Sequence, residues 1–217
     1  MSPLIKICGL TSPAAIGAAV RAGATHLGFV FFPGSPRELT PDDAAALIGA
    51  VPEGIITVAL VRAQDIDLTA EICAKMNPGA LQVYGLEAAG AVPPYRARFD
   101  RPLILPVPVR DAASLDAAVA LEDVADYLLF DAKSEGHGMP GGTGAAFNWE
   151  LLKGRRFACP WFLAGGLAPE NVARAIARSG TRGVDVSSGV EEGPGHKSER
   201  KIADFVAAAR RAFAQME

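Results

Sequence analysis

The chain has 217 residues, of which 50% are hydrophobic and 21% are charged. This balance is typical of a globular protein rather than a disordered one. The formal net charge of −3 argues against a nucleic-acid-binding protein that depends on a basic surface. No apolar run approaches the roughly 20 residues that a membrane span needs, and the first residues lack the pattern of a signal peptide.

The three cysteines, Cys8, Cys73 and Cys159, are widely spaced and belong to no metal-binding motif. The sequence therefore predicts neither a disulfide framework nor a metal site. A reducing compartment fits this cysteine usage best, so we expect the protein to be cytoplasmic.

Short apolar runs alternate with alanine-rich stretches along the chain, which predicts alternating strands and helices. A capping residue followed by proline marks two helix starts, at Ser12-Pro13 and Thr40-Pro41. Strands are predicted at residues 4–8, 26–32, 55–61, 80–84, 102–109, 125–131, 159–164 and 183–186. Further helices are predicted at about residues 65–76, 111–121, 169–178 and 197–214, with a short one near Trp149.

Prolines weaken two of these assignments. Pro93 and Pro94 predict that no helix forms between residues 85 and 100. The strand at 102–109 contains three prolines, which cannot donate ladder hydrogen bonds and therefore count against a fully central position in the sheet.

Strand–helix alternation with apolar strands predicts a parallel sheet, either open and doubly wound or closed into a barrel. Eight units in 217 residues favour the barrel. The open sheet would carry a dinucleotide-binding fingerprint after the first strand, and Gly9 is not followed by one. We therefore predict an α/β fold: one single-domain (β/α)8 TIM barrel over residues 1–217.

In such a barrel the active site lies at the carboxyl ends of the strands. This rule selects five side chains, those of Cys8, Arg37, Gln82, Asp131 and Asp185. It also selects three loops: Gly141, Gly142, Thr143 and Gly144; Gly165 and Gly166; and Ser187, Ser188 and Gly189.

The loops after strands seven and eight predict a phosphate site. Glycine lets backbone N–H groups approach an anion closely, and these two loops are the frequent phosphate site of this fold. Ordinary tight turns are the alternative for a single Gly165-Gly166 pair. Two such loops at these positions favour phosphate binding by Gly165, Gly166, Ser187, Ser188 and Gly189.

Cys8 and Asp131 each allow two interpretations. Cys8 is either a small buried hydrophobic residue or a catalytic thiol, whose pKa would be lowered by Lys6 on the same strand face. Asp131 ends an apolar strand, so it is either a general acid with a raised pKa or the ion-pair partner of Lys133.

Several motifs together resemble one known family, phosphoribosylanthranilate isomerase of tryptophan biosynthesis. They are KICGLT at 6–11, LGFVF at 27–31 with SPR at 35–37, DAK at 131–133 with GGTG at 141–144 and Phe147, LAGGL at 163–167 with PENV at 169–172, and GVDVSSGVE at 183–191 followed by Pro194-Gly195 and Lys197. They cover essentially the whole chain, in order.

The resemblance implies an Amadori rearrangement that needs neither a metal nor an organic cofactor. It implies that Asp131 is the general acid and that Cys8, as thiolate, is the general base. Arg37 would bind the anthranilate carboxylate, and Asp185 would contact the sugar or its bridging amine. Gln82 is a further substrate-binding candidate. The implied partner is a small phosphorylated substrate, with no nucleic acid or membrane, and the chain would act as a monomer or a homodimer.

The glycine-rich loop from residue 133 to residue 147 follows the strand that carries Asp131. With few side chains to hold it by packing, we expect it to close over bound ligand. A static turn is the alternative.

The chain differs from the usual family pattern on strands three to five. Tyr84 stands where the family usually has histidine, Arg62 where it commonly has asparagine, and strand five lacks the common lysine and arginine. Two rival functions remain: the related Amadori isomerase of histidine biosynthesis, which typically has an aspartate in place of Cys8, and a non-catalytic binder of phosphorylated ligands.

Overall fold

The computed structural model describes residues 3–49, 51–132 and 148–216. Eight parallel strands form a closed barrel, with neighbours in chain order paired and the last strand paired to the first. The strands are β1 (Leu4–Cys8), β2 (His26–Val30), β3 (Ile56–Arg62), β4 (Ala80–Tyr84), β5 (Leu103–Val109), β6 (Tyr127–Ala132), β7 (Trp161–Leu163) and β8 (Gly183–Val186). The predicted TIM barrel is confirmed.

Helices connect most of the strands. The α-helices in the described part of the chain are α1 (Pro13–Ala22), α2 (Pro41–Ile48), α3 (Ile66–Met76), α4 (Val92–Phe99), α5 (Ala112–Val119), α6 (Val172–Ser179) and α7 (Glu199–Ala214). A 3-10 helix (Trp149–Leu152) precedes β7, and a small hairpin of β9 (Glu191–Gly193) and β10 (His196–Lys197) precedes α7.

The predicted capping signals are confirmed at the first two helices. The Ser12 side chain accepts a hydrogen bond from the Ala15 N–H, and Thr40 accepts one from the Asp43 N–H. Both contacts satisfy first-turn N–H groups that the helix itself leaves without an acceptor.

The prediction of no helix between residues 85 and 100 is wrong. Pro93 and Pro94 lie in the first turn of α4. N–H groups there have no intrahelical acceptor, so proline loses no hydrogen bond at these positions. The prolines therefore mark the start of this helix instead of preventing it.

The proline-containing strand is confirmed as β5. It pairs with β6 at six positions, from Ile104 to Val109. Its pairing with β4 ends at Ile104, before Pro106 and Pro108. One side of the ladder is thus short where the prolines occur, which lets β5 tolerate them.

The hydrophobic core has two layers. The larger layer lies between the strands and the surrounding helices. The smaller one fills the barrel interior with Cys8, Val30, Phe32, Val58, Leu60, Ala80, Ile104, Leu129, Phe162 and Ala164. Cys8 and Ala164 belong to this inner layer and lie at the carboxyl ends of their strands. The packed interior therefore forms the floor of the predicted active site.

His26 is buried at the amino-terminal end of the barrel, away from that edge. Its ring packs edge-on against Phe162, with centroids 5.1 Å apart, and its Nδ1 lies 2.8 Å from Thr25 Oγ1. Burial, together with the positive charge of Lys6, lowers the pKa of His26 to about 4. The folded protein therefore keeps this imidazole neutral.

We expect acid to destabilise the fold through His26. The unfolded chain binds a proton near pH 6.5, while the folded chain does so only near its pKa of about 4, so stability falls as the pH drops between these values. Between pH 7.5 and pH 5, the free energy of unfolding is expected to fall by about 2 kcal/mol. Urea unfolding at both pH values measures it, and His26→Phe should remove most of the difference. An equal pH dependence in both proteins would contradict the assignment.

Candidate active site

A cavity of about 500 Å³ opens at the carboxyl ends of the strands. All five side chains selected from the sequence line it: Cys8, Arg37, Gln82, Asp131 and Asp185. The loop residues Gly165, Gly166, Ser187 and Ser188 line it as well. Topology thus brings residues from both ends of the chain into one site.

Cys8 lies at the base of the cavity, beside a buried ion pair. Lys6 is fully buried, and its Nζ donates a hydrogen bond to Asp185 Oδ1 over 2.9 Å. A Cβ at Gly28 would lie 3.1 Å from Cys8 Sγ and 3.2 Å from Lys6 Nζ. The thiol and the ammonium therefore share one face of β1, as strand alternation predicts.

The expectation that Lys6 makes Cys8 a thiolate is wrong for the empty site. Burial raises the pKa of the Cys8 thiol, and although Lys6 and Lys197 lower it, the pKa stays above its ordinary value. The ammonium groups oppose the desolvation of the thiolate without outweighing it. Cys8 is accordingly a neutral thiol near pH 7.

Asp185 and Asp131 face the cavity from β8 and β6. One oxygen of Asp185 is held by Lys6. Asp131 is half-buried, and its negative charge contributes to raising the pKa of Tyr84 on β4, where burial has the larger effect. Lys133, the alternative ion-pair partner of Asp131, lies outside the described residues.

Arg37 lines the cavity, but part of its guanidinium is already engaged. Its Nε and Nη2 donate to the two carboxylate oxygens of Glu191 over 2.7 and 2.8 Å. Lys197 Nζ donates to the same carboxylate over 2.6 Å and to the Ser187 carbonyl over 3.0 Å. Burial raises the pKa of Glu191, but these hydrogen bonds hold it below its ordinary value. Two cations around one carboxylate leave a net positive charge beside the loop after β8.

The two loops predicted to bind phosphate lie together at the cavity edge. Gly165 and Gly166 both have positive φ, +83° and +64°, which favours glycine. Asn171 supports this loop, because its Nδ2 donates to the Gly166 carbonyl over 2.8 Å and its Oδ1 accepts from the Ala168 N–H over 2.9 Å. The backbone there is held in place before any ligand binds.

Gly189 permits the loops after β7 and β8 to touch. A Cβ at this position would collide with the Leu167 carbonyl and approach the Ala168 Cα to 3.1 Å. Gly189 does not itself line the cavity, so its contribution is close backbone packing. Any larger residue must push the loops apart.

We therefore expect Gly189→Ala to weaken phosphate binding. Overpacking against a backbone carbonyl costs about 1–3 kcal/mol. Because relief of this strain separates the two loops, the dissociation constant of inorganic phosphate should rise about tenfold or more. Gly90→Ala is the matched control, since a Cβ there meets nothing within 4 Å. Calorimetric titration with phosphate measures the difference. Equal affinity in the two variants would exclude this role for Gly189.

The glycine-rich loop with Gly141, Gly142, Thr143 and Gly144 lies outside the described residues, so its predicted closure over ligand stays a prediction. In the part of the chain that is described, no group of three metal-ligating side chains occurs. Nor is any helix among those residues long and apolar enough to cross a membrane.

A family model for N-(5'-phosphoribosyl)anthranilate isomerase matches residues 5–208. The chain belongs to the phosphoribosylanthranilate isomerase family. An N-(5'-phosphoribosyl)anthranilate isomerase from Caulobacter vibrioides is 47% identical over 209 residues, with 95% of each chain covered. The chain is accordingly an isomerase.

Solved structures of the family have the same fold. The phosphoribosylanthranilate isomerase of Thermotoga maritima superimposes with a TM-score of 0.84 at 30% identity, covering 97% of this chain and all of that one. A family structure in complex with reduced 1-(o-carboxyphenylamino)-1-deoxyribulose 5-phosphate superimposes with a TM-score of 0.82 at 28% identity and the same coverage.

Sequence reasoning assigned no role to Tyr84 and Glu191, which line the cavity, or to Lys197, which binds Glu191. The sequence marks Tyr84 only as a departure from the family pattern, and Glu191 and Lys197 only as part of the resemblance. Glu191 is 8% exposed despite its charge, and its partner Arg37 is 154 residues away. A local pattern cannot reveal such a pairing, although the short spacing between Glu191 and Lys197 after the last strand was an available signal.

Proposed function

We propose that the chain converts N-(5-phospho-β-D-ribosyl)anthranilate to 1-(2-carboxyphenylamino)-1-deoxy-D-ribulose 5-phosphate, with Asp131 as general acid and Cys8 as general base. The observation that carries the proposal is that both side chains line one cavity together with the two glycine-containing loops. A carboxyl group and a thiol at one site provide the two proton-transfer groups that this isomerisation requires.

The reaction divides into two proton transfers. Asp131 donates a proton to the ring oxygen of the ribose, the C1′–O bond breaks, and the anthranilate nitrogen forms a protonated Schiff base with C1′. Cys8 must first lose its own proton to solvent, because its pKa is raised in the free protein. As thiolate it then takes the C2′ proton, and the electron pair forms an enolamine. Tautomerisation of the enolamine to the C2 ketone protonates C1′ and completes the rearrangement.

The remaining cavity residues match the two ends of this substrate. We propose that Gly165, Gly166, Ser187 and Ser188 hold the phosphate, chiefly through backbone N–H groups, while Gly189, also predicted from the sequence to bind it, acts by keeping the two loops in contact. The net positive charge around Glu191 supports an anion there. Glu191 fixes the plane of the Arg37 guanidinium, which leaves Nη1 to bind the anthranilate carboxylate.

Asp185 and Gln82 complete the proposed substrate contacts. Asp185 would accept a hydrogen bond from the sugar or from the bridging amine while Lys6 holds its other side. Residues 1–217 form one catalytic domain in this mechanism, which requires no cofactor. A small phosphorylated substrate is the partner, the chain acts as a monomer or a homodimer, and a cytoplasmic location remains a prediction.

A direct assay tests the function. Purified protein is mixed with N-(5-phospho-β-D-ribosyl)anthranilate, and the loss of anthranilate fluorescence is followed against a blank without protein. We expect saturable turnover with inhibition by inorganic phosphate. Phosphate binding without any turnover would instead favour the non-catalytic binder and overturn the proposal.

A further inference from the structure

Two side chains on β4, Gln82 and Tyr84, form a polar pair where the apolar barrel interior meets the cavity. Gln82 is 1% exposed, and its Nε2 donates to the Tyr84 hydroxyl oxygen over 2.9 Å. The Tyr84 ring packs edge-on against Phe32, with centroids 5.2 Å apart. Both members of the pair line the cavity.

This pair has hydrogen-bonding capacity left over. The Tyr84 oxygen accepts from Gln82, so its own O–H is directed away from that amide. Gln82 Oε1 is buried without a hydrogen-bond partner among the described residues. A buried acceptor left unpaired is unfavourable, because it has lost its hydrogen bonds to water. The pair therefore offers a ligand one donor and one acceptor.

The surroundings make Tyr84 a donor and not a base. Burial raises the pKa of Tyr84 well above its ordinary value, and the charges of Asp131, Cys8 and Asp185 raise it further. The phenol thus keeps its proton throughout the pH range of an enzyme assay. Tyr84 lines the same cavity as the proposed acid, Asp131, and the proposed base, Cys8.

A neighbouring donor and acceptor complement an alcohol, which both donates and accepts. Resting on the proposed function, we infer that Gln82 and Tyr84 bind the 3′-hydroxyl of the ribosyl group, and that Tyr84 determines specificity for it. The 3′-carbon lies between C2′ and C4′. In the proposed mechanism Cys8 takes the proton of C2′, and Asp131 protonates the ring oxygen that C4′ carries. Its hydroxyl accepts from Tyr84 and donates to Gln82 Oε1.

Tyr84→Phe tests the inference, because it keeps the ring against Phe32 and removes only the hydroxyl. We expect kcat/KM for the ribosyl substrate to fall about 10- to 100-fold. With a 3′-deoxy substrate, wild type and Tyr84→Phe should have the same low kcat/KM. Gln82→Leu should show the same selective loss, and the double variant should lose less than the product of the two single losses.

A purely structural role would look different. If Tyr84→Phe impairs the ribosyl and 3′-deoxy substrates by the same factor, or impairs neither, the inference is overturned. Calorimetry with the reduced product and its 3-deoxy form supplies a readout that needs no turnover: wild type should prefer the hydroxylated ligand, and Tyr84→Phe should lose that preference. Failure of wild type to turn over substrate would refute the proposed function, while this preference would still test the pair.

Discussion

Cys8→Ala is expected to lower kcat about 10³-fold while KM changes only slightly. A general base contributes about 10²- to 10⁴-fold, and it acts in the transition state rather than in substrate binding. Alanine fits the site, because Cys8 is 5% exposed within the apolar inner layer of the barrel. Steady-state kinetics with the anthranilate substrate measure the effect. Cys159→Ala, the same change outside the cavity, should retain normal kcat.

The pH dependence of kcat/KM should also show the ionisation of the Cys8 thiol. Burial raises the pKa of Cys8 in the free protein, and the base must lose its proton to act. We therefore expect kcat/KM to rise with pH through the neutral range and into the alkaline range, since this parameter reports ionisations of the free enzyme. Near-normal turnover by Cys8→Ala, or a flat profile in this range, would exclude Cys8 as the base.

Asp131→Asn should have a comparable effect on the first chemical step. The amide keeps the shape of the carboxyl group but has no acidic proton to give the ring oxygen. We expect kcat to fall about 10³-fold, with the affinity for the reduced product changed only a few-fold. Stopped-flow kinetics and calorimetry measure the two quantities separately.

The control for Asp131 is Asp42→Asn on α2. Asp42 is exposed and forms a surface ion pair with Lys75, which contributes little to stability. The Asp42→Asn substitution should leave both turnover and binding unchanged. If Asp131→Asn reduced binding and turnover by the same factor, Asp131 would be a binding residue and the proton would come from another group.

Local signals in the sequence were sufficient for most of the fold. Hydrophobic runs located all eight strands, and the capping pairs at Ser12 and Thr40 located two helix starts. The failure at α4 has a local cause too, since proline prevents a helix in its interior but not in its first turn. The second strand ends at Val30, two residues earlier than predicted.

The sequence also predicted which residues gather at the cavity, because parallel strands in a barrel bring their carboxyl ends to one edge. It could not predict their partners or ionisation. Lys6 and Asp185 are 179 residues apart, so their pairing depends on the contact between β1 and β8 that closes the barrel. The pKa of Cys8 likewise depends on how completely the folded interior excludes water. Burial and long-range charge pairing arise from three-dimensional packing, whereas strand and helix positions follow from neighbouring residues.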